Sequence, residues 1–260
     1  MIPPEASVEG FRRDGAVLLP ALLDAEGVER LRAVAARHGE TRGAEGAPAA
    51  GFWSESDLWR RDPDVRRLLV RGPAARAVAT LLGTRRLWLY EDTLLVKEPG
   101  TARPTPWHQD LPHYPLSGQQ VATSWISLDH VVAESGAVRY VRGSHRADVL
   151  YAPVEFTSGK IHHGPGLVPP PDLDYAPSPG LVVFETRPGD CVVHHALTLH
   201  GAPGNATERP RRALAASFFG EDVRFTRRDF PWRHPRAEDL VGGSLSIRDA
   251  YPLAWDDDDG

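Results

Sequence analysis

The sequence predicts a mainly β protein with flanking helices: two sheets closing into a barrel, helices packed on one side. The first 83 residues carry helical periodicities. After Gly83 the chain breaks into short β-branched and aromatic runs divided by Gly and Pro turns. No strand–helix alternation follows, and no glycine-rich phosphate loop follows a first strand, which argues against a doubly wound sheet.

Taken in chain order, residues 6–14 form a short helix before the apolar run Ala16–Leu19. Residues 24–38 place Val28, Leu31, Val34 and Ala35 at helical spacing, with Asp24 as N-cap and Glu26 and Glu29 favouring the helix start. Gly39 to Gly51, rich in Gly, Ala and Glu, reads as a flexible loop. Helices follow over 62–69 and 73–82, the latter with Pro73 in its first turn. Strands are expected at 87–90, 93–96, 121–128, 138–141, 181–184, 191–195 and 212–220, with Pro99-Gly100 and Gly189-Asp190 as turns. Arg142 to His145 also reads as a turn. Residues 147–180 hold Pro153, Pro165, Pro169, Pro170, Pro171, Pro177 and Pro179, leaving little room for regular structure. A connection that long is a functional lid or a surface excursion. Residues 256–259, four aspartates, read as a frayed solvated end. The expected organisation is one domain over 1–260: a helical flank 1–83, a core 84–220 with the 147–180 insertion, and an extension 221–260.

Composition is that of an ordinary soluble globular protein, 41% hydrophobic and 25% charged, and 260 residues suffice for a sizeable core. The net charge of -5 and the dispersed basic residues point away from nucleic acid and from membrane surfaces. Arg224, Arg227, Arg228, Arg233 and Arg236 alternate with Asp222, Asp229, Glu238 and Asp239, which reads as a solvated, locally paired face. Cys191 is the only cysteine, so no disulfide framework or cysteine zinc site is expected; its apolar neighbours make it a packed core thiol. No stretch is long enough to span a bilayer and no basic-then-apolar leader opens the chain, so a cytoplasmic setting is expected.

The informative segment is Thr105-Pro106-Trp107-His108-Gln109-Asp110. In extended backbone, His108 and Asp110 share one face and offer an imidazole nitrogen and a carboxylate oxygen to one ion, with Gln109 pointing away. Such mixed ligation suits a divalent first-row metal, and three protein ligands on one octahedral face leave positions open for cosubstrate and dioxygen. Among 11 histidines a chance surface pair is the bland alternative, so the third ligand matters. His200, after an apolar strand and before Gly201, is the best candidate.

Several further motifs recur in order: His108-Gln109-Asp110, Trp125 to Asp129, Glu134-Ser135-Gly136-Ala137, Gly143-Ser144-His145, Gly189-Asp190, then His195 through His200-Gly201, Asn205 and Arg211. Together they resemble the phytanoyl-CoA dioxygenase family over about residues 8–220. The resemblance implies a cupin-like double-stranded β-helix, or jelly roll, and an iron(II)- and 2-oxoglutarate-dependent dioxygenase. It assigns His108, Asp110 and His200 to iron and Arg211 to the far carboxylate of 2-oxoglutarate, a pairing that suits the bidentate guanidinium. Arg209 and Arg212 are neighbours that compete for that role. Trp125 is expected as a wall of the cosubstrate pocket, or equally as a core tryptophan. The family often has a small hydroxyl residue two positions after the distal histidine; here Ala202 stands there, so Thr123 or another hydroxyl must compensate.

The reaction so implied consumes dioxygen and 2-oxoglutarate, releases succinate and carbon dioxide, and hydroxylates an unactivated carbon of a small molecule. Related halogenases replace the carboxylate ligand with a small residue, so Asp110 favours hydroxylation over chlorination; desaturation and ring formation stay open. Substrate contacts are expected from Tyr90, Trp107, His113, Tyr114 and the proline-rich segment, an aromatic lining suited to a partly apolar molecule. His162 and His163 are either substrate contacts or loop residues. His195 reads as a structural histidine or a cavity wall, and His145 as a turn fastener. The alternative function is a non-catalytic jelly-roll protein that binds a metal or small ligand.

Overall fold

The computed structural model describes residues 2–44, 51–156, 158–174, 180–228, 240 and 246–258. Four helices lead the chain: α1 (Glu5–Asp14), α2 (Ala25–Ala44), α3 (Pro63–Leu69) and α4 (Pro73–Leu82). The strands before the middle of the chain are β1 (Ala16–Leu19), β2 (Phe52–Ser56), β3 (Arg86–Lys97), β4 (Thr105–His108), β5 (Leu116–Ser117), β6 (Val121–Ser127) and β7 (Arg139–Val141). Those after it are β8 (Leu150–Tyr151), β9 (Leu167–Val168), β10 (Leu181–Val183), β11 (Cys191–His195), β12 (His200–Ala202), β13 (Arg211–Phe219), β14 (Arg224–Phe225) and β15 (Leu253–Asp256).

Two antiparallel sheets make a jelly roll. The larger runs β1-β11-β6-β13-β3-β15, with β2 also pairing β3; the smaller runs β10-β7-β12-β4. Side chains alternate across the central strands of the larger sheet. Leu94, Ile126, Leu214 and Phe218 point outward and pack on Leu31, Leu69 and Leu81 from the helices. The intervening residues of the same strands, including Thr93, Trp125, Ala215 and Ser217, point inward and line a cavity between the sheets. All seven residues of β6 are buried, as expected for a strand covered on both faces. Local signals start the helices: Asp62 caps α3 by accepting from Asp64 N and Val65 N, with Pro63 in the first turn.

The helix boundaries at 62–69 and 73–82 match the sequence reading closely, but several expectations need correction. Helix α2 continues through Gly39 to Ala44 rather than dissolving into a loop. Its last turns lie against β2, where the Arg42 guanidinium sits 5.2 Å over the Trp53 ring, and this packing offsets the roughly 1 kcal/mol helix cost of a glycine. The two strands expected at 87–90 and 93–96 are one strand. Glu91-Asp92 does not break it, because buried Asp92 accepts from Leu58 N and Trp59 N.

The large sheet also crosses the boundaries drawn at 84 and 220. Ala16–Leu19 pairs with β11, Phe52–Ser56 with β3, and Leu253–Asp256 with the start of β3. The acidic end is therefore ordered through Asp258, with Asp257 N bonded to Arg85 O and the Trp255 indole donating to Asp257; Asp259 lies outside the described residues. Within 147–180, β8 pairs with β9 in parallel and Val154 bridges Ile161, so this segment does hold regular structure. Pro177 and Pro179 lie outside the described residues, as do Asp229, Arg233, Arg236, Glu238 and Asp239. Among the described residues Arg228 donates to Tyr114 O and Leu116 O rather than to a carboxylate. Cys191 is fully buried in the helix–sheet core, as expected, and burial pushes its thiol pKa up.

The Gly189-Asp190 turn joins the β1–α2 connection to the sheet. Asp190 accepts from Ala21 N and Arg187 N, and Leu23 N bonds Gly189 O. Gly189 has φ +91°, and a Cβ there would lie 2.3 Å from Leu23 O, a clash with backbone that cannot rotate away. Gly189→Ala is expected to cost about 2 kcal/mol or more. Urea denaturation reads this directly, and an unchanged midpoint would show that the turn tolerates a side chain.

Candidate metal centre and its cavity

His108 ends β4 and His200 opens β12, and the two are directly opposed in the register of the small sheet. Their rings lie 4.1 Å apart between centroids. Each has its Nδ1 against a carbonyl two residues earlier, His108 on Pro106 O at 2.7 Å and His200 on Thr198 O at 2.9 Å. Those contacts require Nδ1–H, so both Nε2 lone pairs are free and turned to the same point.

Asp110 completes the group, but not by sharing a strand face with His108. The strand stops at His108, and Asp110 has helical angles (φ -73°, ψ -46°) at the head of a short 3-10 turn. That turn brings its Oδ1 to 3.5 Å from His108 Nε2 and 3.6 Å from His200 Nε2. The other oxygen, Oδ2, faces the large sheet and accepts from Thr123 Oγ1 at 2.7 Å and His194 Nε2 at 3.0 Å. The two carboxylate oxygens thus have separate partners. Gln109 points away as expected: its amide donates to Leu197 O and Val149 O and accepts from Tyr151 N, tying the turn to the 147–180 segment.

The charge states fit a cation. Burial opposes ionisation of Asp110, but His200, His108 and His194 overrule it and hold the carboxyl well below the usual carboxylate range. Burial holds His200 well below the usual imidazole range, hence neutral. Two imidazole nitrogens and one carboxylate oxygen, mutually within 4.8 Å, form a donor set for a divalent first-row metal.

The triad opens on a cavity of about 530 Å³ whose walls include Trp125, Arg211, His113, Tyr114 and Thr123. Arg211 comes from the first residue of β13, is 2% exposed and stacks its guanidinium 5.5 Å from the Trp125 ring. Burial lowers its pKa to about 10, opposed by Tyr140 and Asp129, so it stays a cation at neutral pH. The competing Arg212 faces the other way and grips Asp129 with both arms. Thr123 borders the cavity, but its hydroxyl is engaged by Asp110 and Ser217 and cannot replace the hydroxyl missing at Ala202.

Of the expected substrate residues, His113 and Tyr114 line the cavity and Tyr90 and Trp107 do not. Tyr90 packs behind Tyr114 against Tyr251, and the Trp107 indole donates to Asp174 while its ring carries Arg139. His162 and His163 are not cavity walls; His162 pairs with Glu155 at 2.7 Å. His195 is structural, bonded to Gln119 O and Leu197 N, and His145 fastens its turn to Arg12 O.

The sequence reading missed Glu91, Ser217, Phe156, Phe52, Trp53, Arg42 and Arg103, all walls of this cavity. Strand parity carried a usable signal for several: Glu91, Thr93 and Leu95 alternate on one face of β3. His194 and His195 take opposite faces of β11, as strand alternation predicts, and His194 is the one that lines the cavity. Phe156, from the 147–180 segment, sets its ring 4.6 Å from that of His108. Among the described residues, no helix is long and apolar enough to cross a membrane.

The sequence matches the phytanoyl-CoA dioxygenase family over residues 11–213. A probable phytanoyl-CoA dioxygenase of Caenorhabditis elegans is 26% identical over 156 residues, 57% of this chain and 48% of that protein. The carbocyclase SnoK from nogalamycin biosynthesis, a non-haem α-ketoglutarate-dependent protein, superposes with TM-score 0.72 at 25% identity, covering 97% of this chain and 96% of that one. The epimerase SnoN, solved with Fe3+, α-ketoglutarate and nogalamycin RO, gives TM-score 0.70 at 25% identity over 97% and 96% of the two chains. The chain spans about half the length of the curated relatives it matches.

Glu91 gives the site a pH signature. Burial, with the like charges of Asp110, Asp57 and Asp92, raises its pKa to about 8 against a hydrogen bond from Tyr114. A raised folded pKa contributes stability that is complete below the unfolded value, near 4.5, and is lost as pH rises through about 8. Glu91→Gln removes that loss. Thermal denaturation from pH 4 to pH 9 should show the variant gaining on the parent across this window; a constant difference would show that Glu91 is not perturbed.

Proposed function

The chain belongs to the phytanoyl-CoA dioxygenase family, and from that membership we propose an iron(II)- and 2-oxoglutarate-dependent dioxygenase that hydroxylates an unactivated carbon of a small organic molecule. One observation carries this reading: three lone-pair atoms, His108 Nε2, Asp110 Oδ1 and His200 Nε2, converge while the remaining polar atoms of the same side chains are bonded to protein. His108, Asp110 and His200 hold the metal, and Arg211 and Trp125 hold the cosubstrate. Bound iron(II) would activate dioxygen, the oxidant of the reaction, with 2-oxoglutarate decarboxylated to succinate and carbon dioxide.

The chain's own residues orient and enclose. Arg211 presents a fixed fork to the distal carboxylate of 2-oxoglutarate. Thr123 and His194 act one step back, holding Asp110 in the rotamer that turns Oδ1 to the metal. Phe156 brings the 147–180 segment against His108, and closure of this segment over substrate excludes water from the reacting centre. The carboxylate of Asp110 fills the position that a halide would need, which favours hydroxylation over chlorination. The aromatic walls Phe52, Trp53, Tyr114 and Phe156, with Glu91 inside and Arg42 and Arg103 also lining, suit a partly apolar substrate with polar groups.

Anaerobic titration should find about one iron(II) per chain, and His108→Ala, Asp110→Ala and His200→Ala should each sharply lower occupancy and succinate release. Normal binding and turnover in all three variants would sink the assignment. Arg211→Leu should leave iron bound and raise the 2-oxoglutarate requirement roughly thirtyfold or more, since stranding a buried charge costs about 2–5 kcal/mol. Iron binding without succinate from any of a broad panel of substrates would instead favour a non-catalytic binding protein.

A further inference from the structure

Two buried donors beside the triad bond to nothing among the described residues: Tyr140 Oη and Arg211 Nε. Native interiors rarely leave such atoms without a partner unless a ligand supplies one. Tyr140 is 1% exposed and lies directly opposite His200 in the small sheet, so the two side chains share the inward face. Its ring is nearly parallel to that of His200, at 5.8 Å and 25°, and 5.3 Å from that of His194. From the facing sheet, Arg211 reaches inward over Trp125.

Val138, two residues before Tyr140, is a wall of the cavity that Arg211 and Trp125 also line. Burial keeps the phenol protonated, and so a donor, at any physiological pH. Nearby, Ala202 has no hydroxyl and that of Thr123 is engaged by Asp110 and Ser217. A carboxylate has about four lone-pair directions, more than one guanidinium fork fills.

We propose that Tyr140 is a cosubstrate-binding residue whose hydroxyl donates to the same distal carboxylate of 2-oxoglutarate that Arg211 grips. The assignment rests on the functional reading above, and it gives this chain a donor from the small sheet in place of the one absent at position 202. Tyr140→Phe deletes one oxygen and leaves the ring stacked on His200.

The test is anaerobic titration of the iron(II)-loaded protein with 2-oxoglutarate, followed by the visible absorption of the iron chelate. The variant should bind roughly tenfold to a hundredfold more weakly, as expected for loss of a hydrogen bond to a charged group. 2-Oxobutyrate, which lacks the distal carboxylate, should bind parent and variant alike, and this also reports that the variant's metal site is intact. Adding Ala202→Ser to the variant should recover part of the lost affinity. Equal 2-oxoglutarate affinity in parent and Tyr140→Phe would overturn the proposal. Equal weakening for both ligands would also overturn it, because Tyr140 would then act through His200. A parent that binds neither ligand would defeat the functional reading itself.

Discussion

The site depends on how the Asp110 carboxylate divides its two oxygens. Oδ2 is held by Thr123 and His194 from the large sheet, and Oδ1 faces His108 and His200 from the small one. Removing a carboxylate from water costs several kcal/mol. Two hydrogen bonds to a charged acceptor return about 3–6 kcal/mol, before the attraction of the neighbouring imidazoles is counted. The balance favours the charged form, and the same bonds fix its rotamer. A hydrogen-bonded chain continues from Thr123 to Ser217 and Tyr114, so the carboxylate's orientation is anchored across three elements.

The rest of the fold supplies rigidity at the right places. The helices cover the outer face of the large sheet with an apolar core, freeing its inner face to carry polar groups. Register in the small sheet sets Tyr140, His200 and His108 side by side. Behind them Lys97, fully buried on β3, donates to Ala202 O and Pro203 O and so joins the large sheet to the strand that carries His200. Burial, with Arg211 and Arg139 nearby, lowers the lysine pKa to about 6. The cavity has a cationic end at Arg211 and an acidic wall at Glu91; these sit six residues of strand apart when Arg211 is traced to its partner Lys97, roughly 20 Å.

Much of this was legible in the sequence because local signals agreed with the tertiary structure. Asp62-Pro63 and Gly72-Pro73 mark helix starts, and Gly189-Asp190 marks a turn that only glycine fits. The pairing of His108 with Asp110 was found for a partly mistaken reason: the geometry comes from a turn, not from strand alternation. What stayed hidden depends on long-range pairing. Residues 16–19, 52–56 and 253–256 join the sheet through partners far along the chain, which no local pattern announces. Strand alternation put His194 and His195 on opposite faces but did not say which face meets the cavity, because β11 is buried on both, and Tyr90 and Trp107 were aromatic residues serving the packing around the cavity. Tyr140 carried no motif, and only its unpartnered hydroxyl draws attention to it.

The central claim is that the protein decides in advance which atoms face the metal. Crystals grown anaerobically with iron(II), using anomalous scattering to locate the ion, test it most directly. The account predicts one iron bound by His108 Nε2, His200 Nε2 and a single oxygen of Asp110, Oδ1, with Thr123 and His194 still on Oδ2. Iron bound through Oδ2, or by His194 in place of either histidine, would contradict it.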